Sequence, residues 1–218
     1  MNIFDAIVNR KNVIKFKKDP VDDKLIGVML YMATHAHSAG ENQEWNFIVV
    51  RDEEKKKKLY QAALEHPLLK EAPVCIVVCA DLEKASLRFQ KRGEVFYSIQ
   101  DTAAATMLML VTANALGLGA VWIGSFDEEM VKYILNLPDK LRPVAIVAVG
   151  HPEKTVERKE RIPFDNLTWY NTYGEKYELS YLFQPGARKK VEIKPIGNLI
   201  EDFLKKAKEN LSEKLKKK

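Results

Sequence analysis

A continuous apolar run, PVCIVVCA at residues 73–80, constrains the fold of this chain more than any other feature. A strand with one face in water alternates apolar and polar residues, whereas an unbroken apolar run is typical of a strand buried on both faces. The run therefore predicts a strand at the centre of a sheet. Together with the helical patterns around it, this strand predicts a mixed α/β (α+β) domain.

Further strands and one long helix extend this core. Strands are predicted at 45–50, 120–124 and 143–150. Residues 97–116 form a helix that is rich in alanine and apolar nearly all round, which indicates a buried position at the centre of the domain, and Gly117 ends it. Shorter helices are predicted at FDAIVNR, at VDDKLIGVMLYMATHA, at DEEKKKKLYQAALEH and at EEMVKYILNL, where Asp127 precedes the first turn.

Two segments lack this regularity. Residues 82–96 are polar with scattered phenylalanine, and we expect a mobile flap there. Beyond His151-Pro152 the chain becomes irregular and polar, and a late strand (VEIKP) and an amphipathic C-terminal helix follow. We therefore divide the chain into residues 1–164, the body, and residues 165–218, an arm that belongs to the same domain.

The arm is rich in apolar and aromatic residues that need a surface to cover. That surface is either the body of the same chain or a partner's, and we favour the partner and hence a homodimer. These residues are Trp169, Tyr170, Tyr173, Tyr177, Tyr181, Leu182 and Phe183.

The net charge of +5 belongs to the C-terminus and not to the body. Residues 205–218 hold seven lysines and two glutamates, which leaves 28 basic and 28 acidic residues in the remainder. A neutral body argues against nucleic-acid binding as the main activity. No window of about 18 apolar residues could cross a membrane, and the N-terminus has no apolar signal core, so we expect a cytoplasmic protein.

The two cysteines, Cys75 and Cys79, lie in the predicted central strand. Four residues of strand separate them by about 13 Å, which is too far for a disulfide. They are interpreted as buried free thiols, in agreement with a reducing compartment.

Several familiar motifs are absent from the sequence. The glycines at 117, 119 and 124 follow a helix and precede a strand, whereas a dinucleotide fingerprint needs the opposite order. No Walker A sequence and no Gly-x-Ser-x-Gly elbow occurs. The pair His35 and His37 has no further ligands at a suitable spacing, so no metal site is predicted.

Three polar patches remain as candidates for chemistry. Arg10, Lys11 and Asn12, with Lys15 nearby, could hold a phosphate through charge-assisted hydrogen bonds, or could be a solvated basic turn. Residues 37–45 concentrate hydroxyl, amide and backbone donors before a tryptophan, which suits the edge of a polar heteroaromatic ring, or a plain capped loop. Residues 159–161, Lys-Glu-Arg, are either a further cationic site or a structural turn.

Taken together, these patches resemble the signatures of the FMN-dependent nitroreductase family. Residues 10–16 are similar to its Arg-Arg-Ser-x-Arg-x-Phe pattern, and residues 33–47 to its Ala-x-x-Ala-Pro-Ser-x-x-Asn-x-Gln-Pro-Trp-x-Phe pattern. Residues 101–127 match an alanine-rich helix followed by Gly-Leu-Gly and Trp-Ile-Gly-x-Phe-Asp. The similarity then continues through Leu137-Pro138, Gly150-His151-Pro152, the Lys-x-Arg element at 159–161 and Tyr173-Gly174.

The resemblance implies a mixed sheet flanked by helices, and a homodimer that exchanges its C-terminal arms in the manner of a domain swap, with FMN at the subunit interface. The residues expected to bind the phosphate and ribityl chain are Arg10, Lys11, Asn12, Lys159 and Arg161. The second subunit is expected to reach the cofactor through Ser38, Ala39, Gly40, Asn42 and Gln43. The backbone expected along the flavin ring belongs to Trp122, Ile123, Gly124 and Ser125.

The implied activity is hydride transfer from NADH or NADPH, through FMN, to a nitroaromatic, quinone, flavin or oxygen acceptor by a ping-pong mechanism. No side chain is expected to be catalytic, because the cofactor carries the chemistry. The chain departs from the family pattern at four positions: Ile14 replaces a basic residue, Glu41 replaces an asparagine, and His37 and Glu44 replace prolines.

Three alternatives stay open at this point. The chain could be a specialised relative that performs reductive dehalogenation or flavin fragmentation. It could bind FMN without turnover, as a storage protein. It could also bind polyanions through the lysine-rich tail at 205–218, in which case affinity should fall steeply with salt.

Overall fold

The computed structural model describes residues 2–175 of the chain. The chain divides into two units, residues 1–159 and residues 160–218, which are described separately. The helices of the first unit are α1 (Ile3–Val8), α2 (Asp23–Ala33), α3 (Glu53–Ala62), α4 (Pro67–Glu71), α5 (Leu82–Arg92), α6 (Ser98–Ala115) and α7 (Glu128–Leu135). Its strands are β1 (Asn12–Phe16), β2 (Trp45–Val50), β3 (Val74–Asp81), β4 (Gly119–Ile123), β5 (Leu141–Gly150) and β6 (Pro152–Val156).

The main sheet has four strands in the order β2-β3-β5-β4. Its pairs include Trp45 with Ala80, Val78 with Ala145, and Ala120 with Val149. The predicted class, a sheet flanked by helices, is confirmed. Every strand pair among the described residues is antiparallel, so the mixture of parallel and antiparallel pairs implied by the family resemblance does not occur in this part of the chain.

Strand β3 is buried on both faces, as its apolar run predicts. Cys75, Val77 and Cys79 pack with α3, α4 and α7 on one face of the sheet. The alternate residues, such as Ile76, pack with α2 and α6 on the other face, where Met109 of α6 is fully buried. Because both faces exclude water, β3 needs apolar residues at every position rather than at every second one.

The two cysteines of β3 are free and buried, as predicted. They lie on the same face of the strand at positions i and i+4. Burial raises the pKa of each thiol to about 12, because the thiolate would lose its hydration. Both side chains therefore act as small apolar core residues.

A second sheet, formed by β1 and β6, was not predicted. The two strands are antiparallel, with Asn12 opposite Val156 and Phe16 opposite Pro152. Both strands were missed because they are short and rich in charge, and because each depends on a partner about 140 residues away. An ion pair between Lys15 and Glu153, 2.7 Å apart, crosses the ladder.

The ring of Phe16 joins the two sheets. A Cβ atom on Gly119 would lie 2.6 Å from Val13 Cγ2 and 3.1 Å from the Phe16 ring. A Cβ atom on Gly150 would lie 2.8 Å from the same ring. Glycine at these two positions allows β1 to approach β4 and β5 closely, which places the residues before β1 next to β4.

The signals at the ends of helices are confirmed. The Asp127 carboxylate accepts a hydrogen bond of 2.9 Å from the Met130 N–H and so caps α7. Gly117 follows α6 with a φ of +76°, a left-handed conformation that favours glycine.

The segment at 82–96, predicted as a mobile flap, is helical, and its mobility stays a prediction. These residues form α5 and a π-helical turn at Gly93–Tyr97, with a kink at Gln90. Asp81 caps α5 by accepting from the Lys84 N–H. The helix was missed because seven of its 11 residues are polar and only Ala85 is buried.

In the second unit the structure describes residues 160–175. A short 3-10 turn spans Phe164–Leu167, and the rings of Trp169 and Tyr173 contact each other with centroids 5.0 Å apart. The remainder of the predicted arm, with its strand, its helix and the lysine-rich tail, lies outside the described residues. Among residues 2–175, no helix is long and apolar enough to cross a membrane.

Candidate functional site

Helix α1 and the turn after it place Arg10. Asn2 caps the helix by accepting from the Asp5 N–H at 2.9 Å. At the other end, the Arg158 guanidinium donates to the carbonyl oxygens of Ile7 (3.0 Å) and Val8 (2.6 Å). Carbonyls in the last turn of a helix have no partner within the helix, so a cation there stabilises the end of α1.

The central helix holds α1 from a second direction. The Asn114 side-chain amide of α6 donates to the Ala6 carbonyl at 2.8 Å. Arg158 and Asn114 thus fix the short helix against β6 and α6, and Arg10 follows it directly. Sequence reasoning missed both residues, since neither lies in a recognisable motif and both act on a helix distant in the chain.

Two adjoining concavities lie where this turn meets α6 and β4. One has a volume of about 370 Å³ and the other about 410 Å³, and Arg10 and Leu110 line both. Asn12 and Trp122 line the first, and Lys11 lines the second. The structure therefore brings the first predicted patch together with the start of the predicted ring-binding segment.

The composition of this surface fits a ligand with an anionic end and a flat apolar body. Arg10 supplies a planar set of donors suited to phosphate, and Asn12 supplies an amide. The opposite walls are apolar and include Val13, Met107 and Val121. Strand β4 lies at an edge of the sheet that the described residues form, so its outer backbone groups face away from β5. These features fit FMN.

The other residues that were predicted to bind the cofactor near Arg10 differ in their exposure and in their partners. Lys11 pairs with Glu157 at 2.9 Å, just beyond the Asn12–Val156 end of the β1–β6 ladder. Ile14, which stands where the family pattern has a basic residue, is exposed and supplies no charge. Beyond Trp122, Ile123 is buried, whereas Gly124 and Ser125 are exposed after the end of β4.

Lys159 and Arg161 fall on either side of the division between the two units. Both side chains are exposed. Their expected contact with the phosphate stays a prediction.

The second predicted patch forms a compact turn, which we call the Ser38 segment (residues 38–44). The Ser38 hydroxyl oxygen accepts from the Gln43 N–H at 3.1 Å, and the Ala39 N–H donates to Asp101 at 2.8 Å. Gly40, Glu41 and Gln43 all have φ between 51° and 57°. Left-handed conformations are costly for residues with a Cβ atom, so the surrounding contacts must maintain this turn.

Helix α5 supplies two of those contacts. The Asn42 amide donates to the Lys84 carbonyl at 3.3 Å, and the Lys84 ammonium donates to the Gln43 carbonyl at 3.1 Å. Gly40 packs against Arg88 and Phe89, and a Cβ atom there would lie 3.0 Å from each. The Ser38 segment lines neither of the two concavities beside Arg10.

Glu44, which replaces a proline of the family pattern, is fully buried at the end of this segment. Burial and the neighbouring Asp101 raise the pKa of the Glu44 carboxyl to about 7. The substitution is visible in the sequence, but its neighbour is not, because Asp101 is 57 positions away on α6.

A comparison with known protein families matches this chain over residues 7–68 and 64–151, to the model described as the nitroreductase family. The match covers well over half of the chain. The chain belongs to the nitroreductase family. The resemblance predicted from the motifs is thus confirmed, and with it the enzyme class, an oxidoreductase.

Relatives in the nitroreductase family have related names. An NADH dehydrogenase of Thermus thermophilus is 31% identical over 189 residues, a match that covers 74% of this chain and 92% of that protein. An FMN reductase (NADPH) of Bacillus subtilis is 28% identical over 185 residues, covering 79% of this chain and 74% of that protein.

The fold agrees with solved structures of the nitroreductase family. The structure of NfrA1 nitroreductase from B. subtilis superposes with a TM-score of 0.71 at 28% identity. The superposition covers 79% of this chain and 75% of that one.

Proposed function

We propose that this nitroreductase-family chain is an FMN-dependent oxidoreductase that takes hydride from NADH or NADPH and delivers it to a small acceptor. The acceptors that fit the proposal are nitroaromatics, quinones, free flavin and oxygen. The observation that carries it is the junction of Arg10, Asn12 and Trp122 around one concavity, within a family whose named relatives include an FMN reductase.

Different residues of the concavity would bind different parts of FMN. Arg10 would bind the FMN phosphate through paired N–H donors and remain charged at every working pH. Asn12 would donate to the ribityl or phosphate oxygens, and the walls at Met107 and Trp122 would exclude water from one side of the ring. FMN, when bound, supplies the two-electron chemistry, so the chain needs no catalytic side chain of its own.

We also propose a ping-pong order, in which the nicotinamide donor leaves before the acceptor binds. The support is the limited volume of the surface beside Arg10. Its two concavities, of about 370 and 410 Å³, leave little room for a flavin, a nicotinamide and an acceptor together.

A homodimer completes this proposal. The Ser38 segment lines neither concavity of its own subunit, so its predicted contact with the cofactor requires a second copy. Helices α1 and α2 also expose apolar side chains, among them Phe4, Ile7 and Tyr31, that a second copy would cover.

The absorption spectrum of the purified protein tests the proposal most directly. We expect a yellow protein with flavin bands and about one FMN per subunit, bleached by NADH or NADPH without oxygen and restored by a quinone or nitroaromatic. A colourless protein that takes up no added FMN would refute the proposal. A yellow protein that neither nucleotide bleaches would instead indicate flavin binding without turnover.

A further inference from the structure

Glu44 is a buried carboxyl group to which the proposed function gives no role. Its side chain has 0% exposure, at the point where the Ser38 segment enters β2. Within the described part of the chain, neither carboxylate oxygen meets a donor in hydrogen-bonding geometry, although the Asn42 amide and the Glu44 backbone lie close by. An ionised carboxylate buried without donors is strongly unfavourable, so the side chain must either become protonated or move.

The neighbour of Glu44 is a second buried acid. Asp101 lies in the first turn of α6 with 6% exposure, and its Oδ2 accepts the Ala39 N–H. Two ionised carboxylates only accept hydrogen bonds, so they cannot bond to each other. One proton between these neighbours would supply the missing donor and allow a charge-assisted hydrogen bond.

The remaining polar groups around Glu44 do not replace that proton. The Asn42 side chain and the backbone lower the pKa of Glu44, but burial and Asp101 outweigh them. Lys84 of α5 donates to the Gln43 carbonyl and is itself exposed. Asp81 of β3 caps α5 and approaches Lys140 at 3.8 Å.

We propose that Glu44 and Asp101 share one proton, and that this proton holds the Ser38 segment in its strained turn, so that losing it above neutral pH loosens the segment and weakens FMN binding. Only the last part rests on the proposed function. The first two parts concern the protein without any ligand.

The pair can act on the segment because it is attached to both of its ends. Asp101 holds the Ala39 N–H near the start, and the Glu44 carbonyl accepts from the Asp81 N–H at 2.7 Å at the end. Loss of the proton leaves two buried negative charges side by side, and separating them displaces one attachment. The left-handed residues between the attachments then lose the contacts that maintain them.

Thermal unfolding of the wild type and Glu44→Gln across pH tests the shared proton. Glutamine can donate to Asp101 as protonated Glu44 does, but it does not titrate. A carboxyl whose pKa is raised on folding stabilises the folded protein most at pH values below its unfolded pKa of about 4.5. This stabilisation is lost as the pH rises from there to the folded pKa of about 7. The wild-type Tm should therefore fall by about 5–10 °C relative to Glu44→Gln between pH 5 and 8.

The exposed neighbour Glu41 provides a matched control. Glu41→Gln removes the same charge from the same turn, and its Tm should follow the wild type at each pH. A constant difference between the wild type and Glu44→Gln from pH 5 to 8 would overturn the shared proton. If Glu44→Gln does not fold, Asp101→Asn replaces it. The decline in Tm should then be smaller and end at a lower pH than in the wild type, because the pKa of Glu44 falls when the neighbouring charge is gone.

Amide hydrogen exchange tests the link to the Ser38 segment. After correction for the intrinsic effect of pH, peptides covering 38–44 should lose protection between pH 6 and 8 in the wild type and keep it in Glu44→Gln. Equal protection of the wild-type segment at both pH values would overturn the link.

FMN titration at pH 6 and 8 tests whether loss of the shared proton weakens FMN binding. The ratio of wild-type to Glu44→Gln affinity should fall about threefold or more over this range, and the ratio cancels the titration of the FMN phosphate itself. An unchanged ratio would overturn the effect on flavin binding. Absence of FMN binding at every pH would refute the proposed function, whereas the unfolding and exchange results would still decide the shared proton.

Discussion

At the scale of single residues, Arg10 has the clearest assignment to a ligand. It follows a helix that Arg158 and Asn114 hold in place, and it lines both concavities at the junction with α6 and β4. The proposed function gives Arg10 the FMN phosphate, which a guanidinium would bind through fixed geometry as well as through charge.

Replacing Arg10 by alanine should weaken FMN binding about tenfold to a hundredfold. The reason is the loss of a hydrogen bond to a charged group, worth about 1.5–3 kcal/mol. Flavin fluorescence during titration measures the affinity, and saturating FMN should largely restore the rate. Lys17→Ala, which removes one positive charge outside both concavities, serves as the control and should bind FMN as the wild type does.

Arg161 provides an independent prediction, because its place near the phosphate rests on the family pattern. Arg161→Ala should show a loss of FMN affinity of the same order, about tenfold to a hundredfold. Wild-type affinity in this variant would contradict the assignment of the Lys-x-Arg element at 159–161, and wild-type affinity in both arginine variants would show that the phosphate lies elsewhere.

The buried cysteines should be chemically inert in the folded protein. Burial raises the pKa of Cys75 and Cys79 to about 12, so little thiolate exists at pH 8. A thiol reagent such as Ellman's should release no colour from the native protein and two equivalents after denaturation. Rapid labelling of the native protein would show that β3 opens to solvent.

At the scale of elements, the approach of β1 to the main sheet depends on glycine. Strand β1 carries Val13 and Phe16 onto Gly119 and Gly150, and this contact places the turn with Arg10 beside β4. A larger residue at Gly119 would displace Val13, which lines both concavities.

Two glycine-to-alanine substitutions should therefore have opposite effects. Gly119→Ala should destabilise the protein by about 1–3 kcal/mol, because its Cβ atom would lie 2.6 Å from Val13 Cγ2. Gly27→Ala, in the middle of α2 with no atom within 4 Å of the added Cβ, should stabilise it by about 0.5–1 kcal/mol. Chemical denaturation measures both, and equal effects would contradict the close packing at Gly119.

At the scale of the whole molecule, the proposal requires two chains. The Ser38 segment and the Arg10 concavities are separate surfaces of one subunit, and the arm predicted from residue 165 onward is expected to cross to a partner. The parts of that arm beyond residue 175 lie outside the described structure.

Truncation after Pro163 should give an insoluble or monomeric protein without FMN. The reason is that the truncation removes the aromatic residues of the arm, which we expect to form the contact with the partner. Light scattering after gel filtration measures the mass, and absorbance measures the flavin. Deletion of residues 205–218 alone is the matched control and should leave the dimer and its turnover unchanged, whereas a soluble yellow monomer from the longer truncation would contradict the exchange of arms.

The segments that form the candidate site could be predicted from the sequence, but their positions relative to one another could not. The basic turn at Arg10, the donor-rich segment at Ser38 and the strand at Trp122 were each recognised from local pattern. Their arrangement was not, because it depends on β1 pairing with β6 and on Phe16 packing against two glycines. Glu44 is an example. A glutamate next to a predicted strand is expected to be exposed, and only the folded chain shows that it is buried beside Asp101.

Features that depend on residues close together in the chain could be predicted from the sequence. The apolar run of β3, the buried helix α6 and the cap at Asp127 follow from local periodicity and hydrogen bonding, and the order of motifs determined the family. Three features could be recognised only in the folded chain: the β1–β6 sheet, the cap of Arg158 on α1 and the pair of buried acids. Each of these joins residues far apart in the chain, and such contacts form only when the remainder of the fold brings them together and excludes water around them.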